Sequence, residues 1–307
     1  MTKKFSKVLS ALFALFNLSF LSAFPSMAHA QGVSHDGEKV EKSAADFKDV
    51  SFRSESLQRE MHYRIFLPRG YQSSAKRYPT LYLLHGLYGD YQNWSTHTNL
   101  AKWAGDLELI IAMPDAGNSW YVNSATSETD KFEDYIVKDF VSEVDLHFRT
   151  IRDRHARAIA GLSMGGYAAV NFSLKHSELF SLCGAISAAL DAPNGLDDRK
   201  LEFREGLQKV FGPHGSATRT ANDVFAGVHS AQSDKLPYFF VDCGEDDMFL
   251  LANRELAEAL QNKKANYEYH EFPGDHTWEY WDHSIQRFLQ VLASTHFADH
   301  FTKSRGR

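Results

Sequence analysis

Short apolar runs recur along the chain, and most of them contain almost no polar residue. Five of these runs lie at 78–86, 107–116, 157–163, 180–187 and 238–244. Apolar runs without polar alternation are typical of strands buried on both faces, as in a parallel sheet. Two earlier runs, at 48–57 and 59–71, predict a hairpin, and a further strand pattern at 266–272 ends at Pro273 and Gly274.

Between these runs the apolar residues follow the three- and four-residue steps of helices. In the segment 132–148 one helical face carries Ile136, Phe140, Val144 and Phe148. Similar patterns lie at 166–176, 250–263 and 284–295. Strands that alternate with helices predict an α/β domain with a mostly parallel, eight-stranded sheet and helices on both of its faces. The antiparallel hairpin is expected at one edge of that sheet.

One interval departs from this alternation. Residues 189–236 contain two helical patterns, near 199–211 and 221–231, between two predicted strands. The interval predicts either a small cap over the carboxyl edge of the sheet or a long crossover connection, and the pattern favours neither.

The first 30 residues differ in character from the rest of the chain. Three lysines within the first seven positions precede an apolar segment, and the stretch ends in Ala28-His29-Ala30. This order is typical of a secretory signal peptide, here cleaved after Ala30. A membrane anchor is the alternative. The apolar run at 8–24 is short for a membrane span, however, and it contains Asn17 and three serines.

We therefore expect a secreted or periplasmic protein without stable membrane insertion after cleavage. A flexible mature N terminus (31–45), one domain (46–300) and a flexible tail (301–307) follow the signal peptide (1–30). Cleavage removes three of the 33 basic residues and none of the 39 acidic ones, which leaves a net charge of −9 with neutral histidines. An acidic protein of this kind is not expected to bind nucleic acid.

The two cysteines are predicted to be buried free thiols. Cys183 lies near the start of its predicted strand and Cys243 near the end of its own, which is unfavourable for disulfide geometry. No spacing of cysteine and histidine resembles a metal site, and the residues imply neither a metal nor an organic cofactor.

The stretch GLSMGG, Gly161 to Gly166, lies between an apolar run and a helical pattern. It fits the G-x-S-x-G pattern, in which a serine on a sharp strand-to-helix turn exposes its hydroxyl. Glycine is required two positions before and after the serine because side chains there would collide as the strand and helix converge. We interpret Ser163 as a nucleophile, and the N–H of Met164 as a donor to a developing oxyanion. An ordinary strand-to-helix turn is the alternative.

A nucleophilic serine needs a base, and the base needs a carboxylate that orients it. Where this turn carries a catalytic triad, the acid and then the base follow the serine along the chain. The carboxylates at the end of the strand 238–244 are Asp242, Glu245, Asp246 and Asp247. Asp247 is favoured because a loop residue beyond the strand can reach back across the sheet edge. Asp246 is second, and either residue could instead cap the next helix.

His276 is the favoured base. It follows the last strand pattern in a loop, whereas its nearest rival, His270, lies inside that pattern. The loop position after the last strand is where a triad of this chain order requires its histidine.

A second oxyanion donor is expected where the strand at 78–86 opens into His85-Gly86-Leu87. Gly86 allows the backbone to approach a ligand, and the N–H of Leu87 would pair with that of Met164. His85 is then expected to hold this loop rather than to act as the base. An ordinary glycine turn is the alternative.

The stretch 113–124 follows another strand end, at the edge that faces the ligand in open parallel sheets. The candidates for a substrate pocket are Asn118, Ser119, Trp120, Tyr121 and, further along the chain, Trp278. A surface loop with a half-buried tryptophan is an equally good interpretation.

Together these stretches resemble the esterase D-like group of α/β hydrolases, also called putative esterases. That group includes S-formylglutathione hydrolases, tributyrin and feruloyl esterases and the antigen-85 mycolyltransferases. The resemblance extends from about residue 47 to residue 297 and rests on 67–94, 158–180, 241–247 and 274–281. It implies the α/β-hydrolase fold. The family's G-x-x-D acid, H-x-W base and oxyanion donors fall on Asp247, His276 and the backbone of Leu87 and Met164.

The resemblance implies a serine carboxylesterase that acts on small-molecule or carbohydrate-linked esters through an acyl-enzyme. The alternatives are an acyltransferase of the mycolyltransferase type, a feruloyl or acetyl esterase specific for carbohydrate esters, a peptidase, and a binding protein on an inactive hydrolase fold. The signal peptide argues against a cytosolic S-formylglutathione hydrolase, and nothing in the sequence indicates a groove for very long acyl chains.

Overall fold

The computed structural model describes residues 46–294. The predicted signal peptide, the predicted flexible N terminus and the predicted tail at 301–307 lie outside these residues, as does the end of the predicted domain beyond 294.

Within the described residues, eight strands form one sheet, as predicted. They are β1 (Asp46–Ser54), β2 (Arg59–Leu67), β3 (Thr80–Leu84), β4 (Ile110–Pro114), β5 (Arg157–Leu162), β6 (Leu182–Ile186), β7 (Tyr238–Gly244) and β8 (Tyr267–Phe272). Their spatial order is β1-β2-β4-β3-β5-β6-β7-β8. The β1–β2 and β2–β4 pairs are antiparallel, and every other pair is parallel. The predicted hairpin at one edge and the predicted parallel sheet are both confirmed.

Eleven α-helices connect or flank the strands within the described residues. They are α1 (Asn93–His97), α2 (Leu100–Ala104), α3 (Phe132–Asp134), α4 (Val141–His147), α5 (Met164–Lys175), α6 (Leu196–Arg199), α7 (Arg204–Phe211), α8 (Ala217–Ala221), α9 (Val224–Ser230), α10 (Leu250–Asn262) and α11 (Trp278–Ser294). Short 3₁₀ turns lie at Arg154–Ala156, Leu201–Phe203 and Ser233–Lys235. None of the helices in 46–294 has both the length and the apolar composition needed to cross a bilayer.

The segment predicted as one helix at 132–148 is not regular. Between α3 and α4 it widens into a π-helix at Tyr135–Phe140, where the N–H of Val141 donates to the carbonyl of Ile136. Ile136 and Phe140 are buried all the same. Ile136 and Phe140 are four residues apart, a step that keeps residues on one face in both an α-helix and a π-helix, so the sequence pattern does not distinguish the two forms.

The sheet separates two hydrophobic layers, and single strands contribute to both. In β5, Ile159 packs into the layer that contains α5, whereas Ala158 and Ala160 pack into the layer that contains Phe288 of α11. Alternate residues of a strand point to opposite faces. Because both faces of these strands are buried, their sequences are unbroken apolar runs. The prediction of helices on both faces is confirmed.

The irregular interval 189–236 is a long connection between β6 and β7, built from α6 to α9. It packs onto the layer of α5, because Phe211 of α7 contacts the rings of Tyr167 and Trp120 with centroid distances of 6.1 Å in both cases. Because Trp120 also lines the cavity described below, this connection lies against the site.

Both cysteines are free and buried, as predicted. In the register of β6 and β7, Cys183 lies opposite Phe239, four positions before Cys243. Burial raises the pKa of both thiols, that of Cys183 to about 12. Neither thiol is therefore expected to react as a thiolate near neutral pH.

Candidate active site

Ser163 lies on the sharp turn between β5 and α5. Its backbone has φ 53° and ψ −115°, a left-handed conformation that non-glycine residues rarely adopt. A Cβ on Gly161 would lie 2.5 Å from the backbone of Gly165, and a Cβ on Gly165 would lie 2.6 Å from the carbonyl oxygens of Leu84 and His85. Glycine at 161 therefore allows β5 and α5 to converge on the serine, and glycine at 165 allows α5 to approach the end of β3.

Three side chains meet at this turn. Nε2 of His276 lies 3.0 Å from Oγ of Ser163, and Nδ1 of His276 lies 2.9 Å from Oδ2 of Asp247. Asp247 follows β7 and His276 lies in the loop between β8 and α11, so both reach the carboxyl edge of the sheet where β5 ends. The order and distances are those of a nucleophile, a base and an acid that orients the base.

The neighbours of His276 restrict its orientation. The second carboxylate oxygen of Asp247, Oδ1, accepts a hydrogen bond from the N–H of Phe249 at 2.9 Å, and the Asp247 side chain is fully buried. The rings of Phe249 and Trp281 lie against the imidazole, with centroids 5.2 and 4.8 Å away and nearly perpendicular planes in the case of Trp281.

The rival acids and the rival base have other partners or positions. Asp242 is buried in a network with Tyr280, Ser284 and Arg287 that attaches α11 to the end of β7. Glu245 and Asp246 have exposed side chains. Nε2 of His270 lies 3.0 Å from a carboxylate oxygen of Glu268.

The predicted oxyanion loop lies beside the serine. A Cβ on Gly86 would be 3.5 Å from the Cβ of Ser163, and Leu87 lines the same cavity as Ser163. Within the described residues, the N–H of Leu87 has no acceptor, and neither does that of Met164, the first residue of α5. Two free N–H groups next to a serine hydroxyl are suited to hold an oxyanion.

His85 is fixed as a neutral ring. Its Nε2 accepts the N–H of Ala116 at 3.0 Å, so Nδ1 carries the proton and donates it to the carbonyl oxygen of Gly86 at 2.8 Å. Burial lowers the pKa of His85, which keeps the ring neutral near neutral pH. Its contacts are with the loops around the site rather than with Ser163.

A cavity of about 400 Å³ opens at Ser163 and His276. Of the predicted pocket residues, Trp120 and Trp278 line it, whereas Asn118, Ser119 and Tyr121 are not among its lining residues. The side chain of Asn118 instead accepts the N–H of Tyr88 at 2.7 Å, and Oγ of Ser119 accepts the N–H of Tyr121 at 3.0 Å. This loop curls back on itself and on the oxyanion loop, and only Trp120 reaches the cavity.

Several cavity residues escaped the sequence analysis. Their common property is an apolar or aromatic side chain, and they include Leu196, Phe203, Met248, Phe249, Trp281 and the ring of His97, which stacks on Trp278 at 4.9 Å. Leu196 and Phe203 come from the connection 189–236, which therefore forms part of the cavity wall. An apolar residue on a short helix gives no pattern that separates a cavity wall from a core position.

One group of side chains in the described part of the chain has the composition of a cation site: Asp197, Asp198 and His214. Its buried member, Asp197, already pairs with the guanidinium of Arg219 at 2.8 Å, and Arg219 is also fully buried. None of these residues lines the cavity.

The chain was compared with known proteins. The family model described as "Putative esterase" matches residues 54–291. An acetyl esterase of Caldicellulosiruptor saccharolyticus is 27% identical over 222 residues, which cover 70% of this chain and 83% of the relative. The diacylglycerol acyltransferase/mycolyltransferase Ag85B of Mycobacterium leprae is 24% identical over 261 residues, which cover 73% of this chain and 78% of the relative.

Two solved structures of hydrolases are also similar to this chain. The fluorophosphonate-binding serine hydrolase FphF of Staphylococcus aureus superposes with a TM-score of 0.74 at 25% identity, covering 82% of this chain and 99% of that one. A ferulic acid esterase superposes with a TM-score of 0.70 at 28% identity, covering 81% and 98%. With the family match across most of its length, the chain belongs to the putative esterase family and is a serine ester hydrolase with the α/β-hydrolase fold.

Proposed function

We propose that the protein is a serine carboxylesterase that uses Ser163, His276 and Asp247 as a catalytic triad and forms an acyl-enzyme. The observation that carries the proposal is the continuous chain of contacts from Ser163 Oγ through both ring nitrogens of His276 to the buried Asp247, at 3.0 and 2.9 Å. The free N–H groups of Leu87, which lines the cavity, and of Met164, which follows Ser163, support the same reaction.

In the first half-reaction, Oγ of Ser163 attacks the ester carbonyl carbon while Nε2 of His276 accepts the hydroxyl proton. The negative charge that forms on the carbonyl oxygen is held by the N–H groups of Leu87 and Met164. The ester C–O bond then breaks, and His276 gives its proton to the leaving alcohol. Asp247 stabilises the imidazolium and keeps Nδ1 protonated throughout.

In the second half-reaction, His276 takes a proton from water, whose oxygen attacks the acyl carbon. The bond to Ser163 breaks, and the proton returns to Oγ as the acid leaves. The side chain of His276 is 22% exposed, so water has access to the base.

The apolar and aromatic lining of the cavity supports an ester with an uncharged group beside the carbonyl. The names of the acetyl esterase and ferulic acid esterase relatives extend the proposal to small acyl and aromatic acyl esters. Carbohydrate-linked esters stay a prediction of the sequence resemblance. Transfer to an alcohol acceptor, as in the name of the mycolyltransferase relative, is the competing reaction of the same triad.

We also propose that the protein is exported, on the evidence of the charged start, apolar segment and Ala28-His29-Ala30 ending of its first 30 residues. Expression of the full chain in a bacterial host, followed by N-terminal sequencing of the extracellular or periplasmic product, tests this. The expected first residue is Gln31, and an uncleaved cytoplasmic product would contradict export.

Turnover of p-nitrophenyl acetate and butyrate by wild type, Ser163→Ala and His276→Ala tests the enzymatic proposal. We expect each substitution to lower kcat at least about a thousandfold. Labelling by a fluorophosphonate probe should disappear in Ser163→Ala, and equal turnover by this variant and wild type would overturn the proposal. Adding an alcohol acceptor and measuring ester product distinguishes hydrolysis from transfer.

A further inference from the structure

Two loops meet beside Ser163 and hold each other in place. The first, 85–89, carries the oxyanion donor Leu87, and the second, 115–121, follows β4. The N–H of Ala116 donates to Nε2 of His85 at 3.0 Å, and the hydroxyl of Tyr121 donates to the carbonyl oxygen of His85 at 3.2 Å. A third bond joins the far side of the first loop, where the N–H of Tyr88 donates to Oδ1 of Asn118 at 2.7 Å.

Hydrogen bonds hold both of the peptide units that flank Leu87. The carbonyl oxygen of Gly86 accepts from Nδ1 of His85 at 2.8 Å and from the N–H of Gly89 at 3.1 Å. In a planar trans peptide unit the N–H points opposite to the C=O. The two bonds to the Gly86 oxygen therefore also set the direction of the Leu87 N–H. The next peptide unit carries the N–H of Tyr88, which Asn118 holds. Leu87 is therefore restrained from both sides.

The restraint by Asn118 acts on a strained residue. Tyr88 has a φ of 62°, in the left-handed region that is unfavourable for an aromatic residue. Tyr88 is 78% exposed, so packing of its ring does little to hold the backbone in this conformation. Strained backbone of this kind persists only where surrounding contacts impose it. The bond from Tyr88 to Asn118 is such a contact, and it lies one residue from the oxyanion donor.

We propose that Asn118 is a positioning residue for the oxyanion hole and that it acts through Tyr88 on the N–H of Leu87. The inference rests on the proposed triad mechanism. Asn118 neither lines the cavity nor touches the triad, so it contributes little to the binding of ground-state substrate. Its loss would let Tyr88 relax and turn the Leu87 N–H away from the developing oxyanion, which slows the chemical step.

The test compares Asn118→Ala, which removes the acceptor oxygen, with Asn118→Asp, which keeps an acceptor oxygen at the position of Oδ1. Asn123→Ala is the matched control, because Oδ1 of Asn123 also accepts a backbone N–H, that of Asp134 at 3.2 Å, at a position outside the two loops. The measurements are kcat and KM for p-nitrophenyl butyrate and the Ki of a phenylboronic acid, whose serine adduct places an oxygen in the oxyanion hole. High salt screens the added charge of the aspartate.

For Asn118→Ala we expect kcat to fall about tenfold, KM to stay within about twofold, and Ki to rise by about the same factor as kcat falls. Asn118→Asp should recover most of both losses, and Asn123→Ala should keep the wild-type values. The melting temperatures of the folded variants are measured alongside, so that a loss of active protein is not counted as a loss of kcat.

An unchanged kcat in Asn118→Ala would overturn the proposal, as would a loss that appears in KM with an unchanged Ki. Equal losses in the alanine and aspartate variants would also overturn it, because the acceptor oxygen would then not be the cause. These results would leave the triad proposal standing so long as Ser163→Ala is inactive. Activity in Ser163→Ala would instead overturn the triad proposal, on which the role of Asn118 depends.

Discussion

The carbonyl oxygen of Gly274 occupies the space that a side-chain carbon on Gly244 would need. Gly244 ends β7, and Gly274 lies in the loop that leads to His276. The same carbonyl accepts the N–H of Asp246 at 2.9 Å. This close approach of two backbones carries Asp247 and His276 to within hydrogen-bonding distance of each other.

Gly244→Ala should therefore separate the two loops. The new methyl group overlaps backbone that cannot move aside cheaply, and a displacement of about 1 Å at a catalytic contact costs about a hundredfold in rate. We expect a loss of about a hundredfold in kcat, together with a loss of about 1–3 kcal/mol in the free energy of unfolding. Ester turnover and urea unfolding measure the two effects.

Gly206→Ala is the matched control. A Cβ on Gly206 meets nothing within 4 Å, and the residue lies inside α7. This variant should keep wild-type kcat and gain about 0.5–1 kcal/mol in stability. Wild-type kcat in Gly244→Ala would contradict the argument from close approach.

The features that the sequence predicts well are those that depend on local chemistry. The turn at Ser163 was predictable because only glycine fits at Gly161 and Gly165. The carboxyl edge of a parallel sheet gathers the residues at strand ends, so the sequence alone predicts Asp247 and His276 as partners. The order of apolar, polar and turn residues along the chain is enough to predict the hairpin and the strands buried on both faces.

The features that the sequence does not predict depend on contacts between distant segments. Leu196 and Phe203 line the cavity, but their spacing is that of ordinary apolar residues in a connection. The sequence makes Asn118 a candidate for the pocket because its loop follows a strand end. Its actual partner, the N–H of Tyr88, is 30 residues away and gives no sequence pattern.

Asp247→Asn tests which carboxylate orients the base. The amide nitrogen of asparagine donates where the carboxylate accepts, so it favours the tautomer of His276 that cannot take the proton of Ser163. We expect kcat to fall about a thousandfold to ten-thousandfold with the fold intact. Asp246→Asn, at the neighbouring exposed position, should stay close to wild type. The reverse outcome would transfer the acid role to Asp246.

Trp281→Ala tests the aromatic wall beside the base. The indole of Trp281 lies 4.8 Å from the ring of His276, and without it the imidazole gains freedom to rotate away from Ser163. We expect a loss of about tenfold in kcat, and Trp281→Phe should retain most of the activity because it restores an aromatic edge. The measurement is turnover of p-nitrophenyl butyrate at a temperature below the melting transition of both variants.

Trp103→Ala serves as the control for this loss of packing. Trp103 also contacts α11, through an indole hydrogen bond of 2.8 Å to Asp282, but it is not among the cavity-lining residues. The Trp103→Ala variant should lower the free energy of unfolding while leaving the kcat of the folded enzyme within about twofold of wild type. Equal kcat in Trp281→Ala and wild type would show that the indole of Trp281 does not help to orient His276.

Glu133, a buried carboxylate, links acid stability to a partly buried ion cluster away from the triad. Burial raises its pKa, but hydrogen bonds from His176 and Lys175 outweigh burial, so the pKa lies below its usual value of 4.5. A carboxyl group with a lowered pKa in the folded state adds stability above its unfolded pKa and loses it as the pH falls through the folded pKa. Glu133→Gln should therefore lower the free energy of unfolding by about 1–3 kcal/mol at pH 7, and this difference should shrink as the pH falls below 4.5.

Urea unfolding of Glu133→Gln and wild type at several pH values measures this difference. Glu258→Gln, at an exposed position, is the control and should match wild type throughout. A difference that stays constant from pH 7 to pH 3 would show that the ionised carboxylate is not its source.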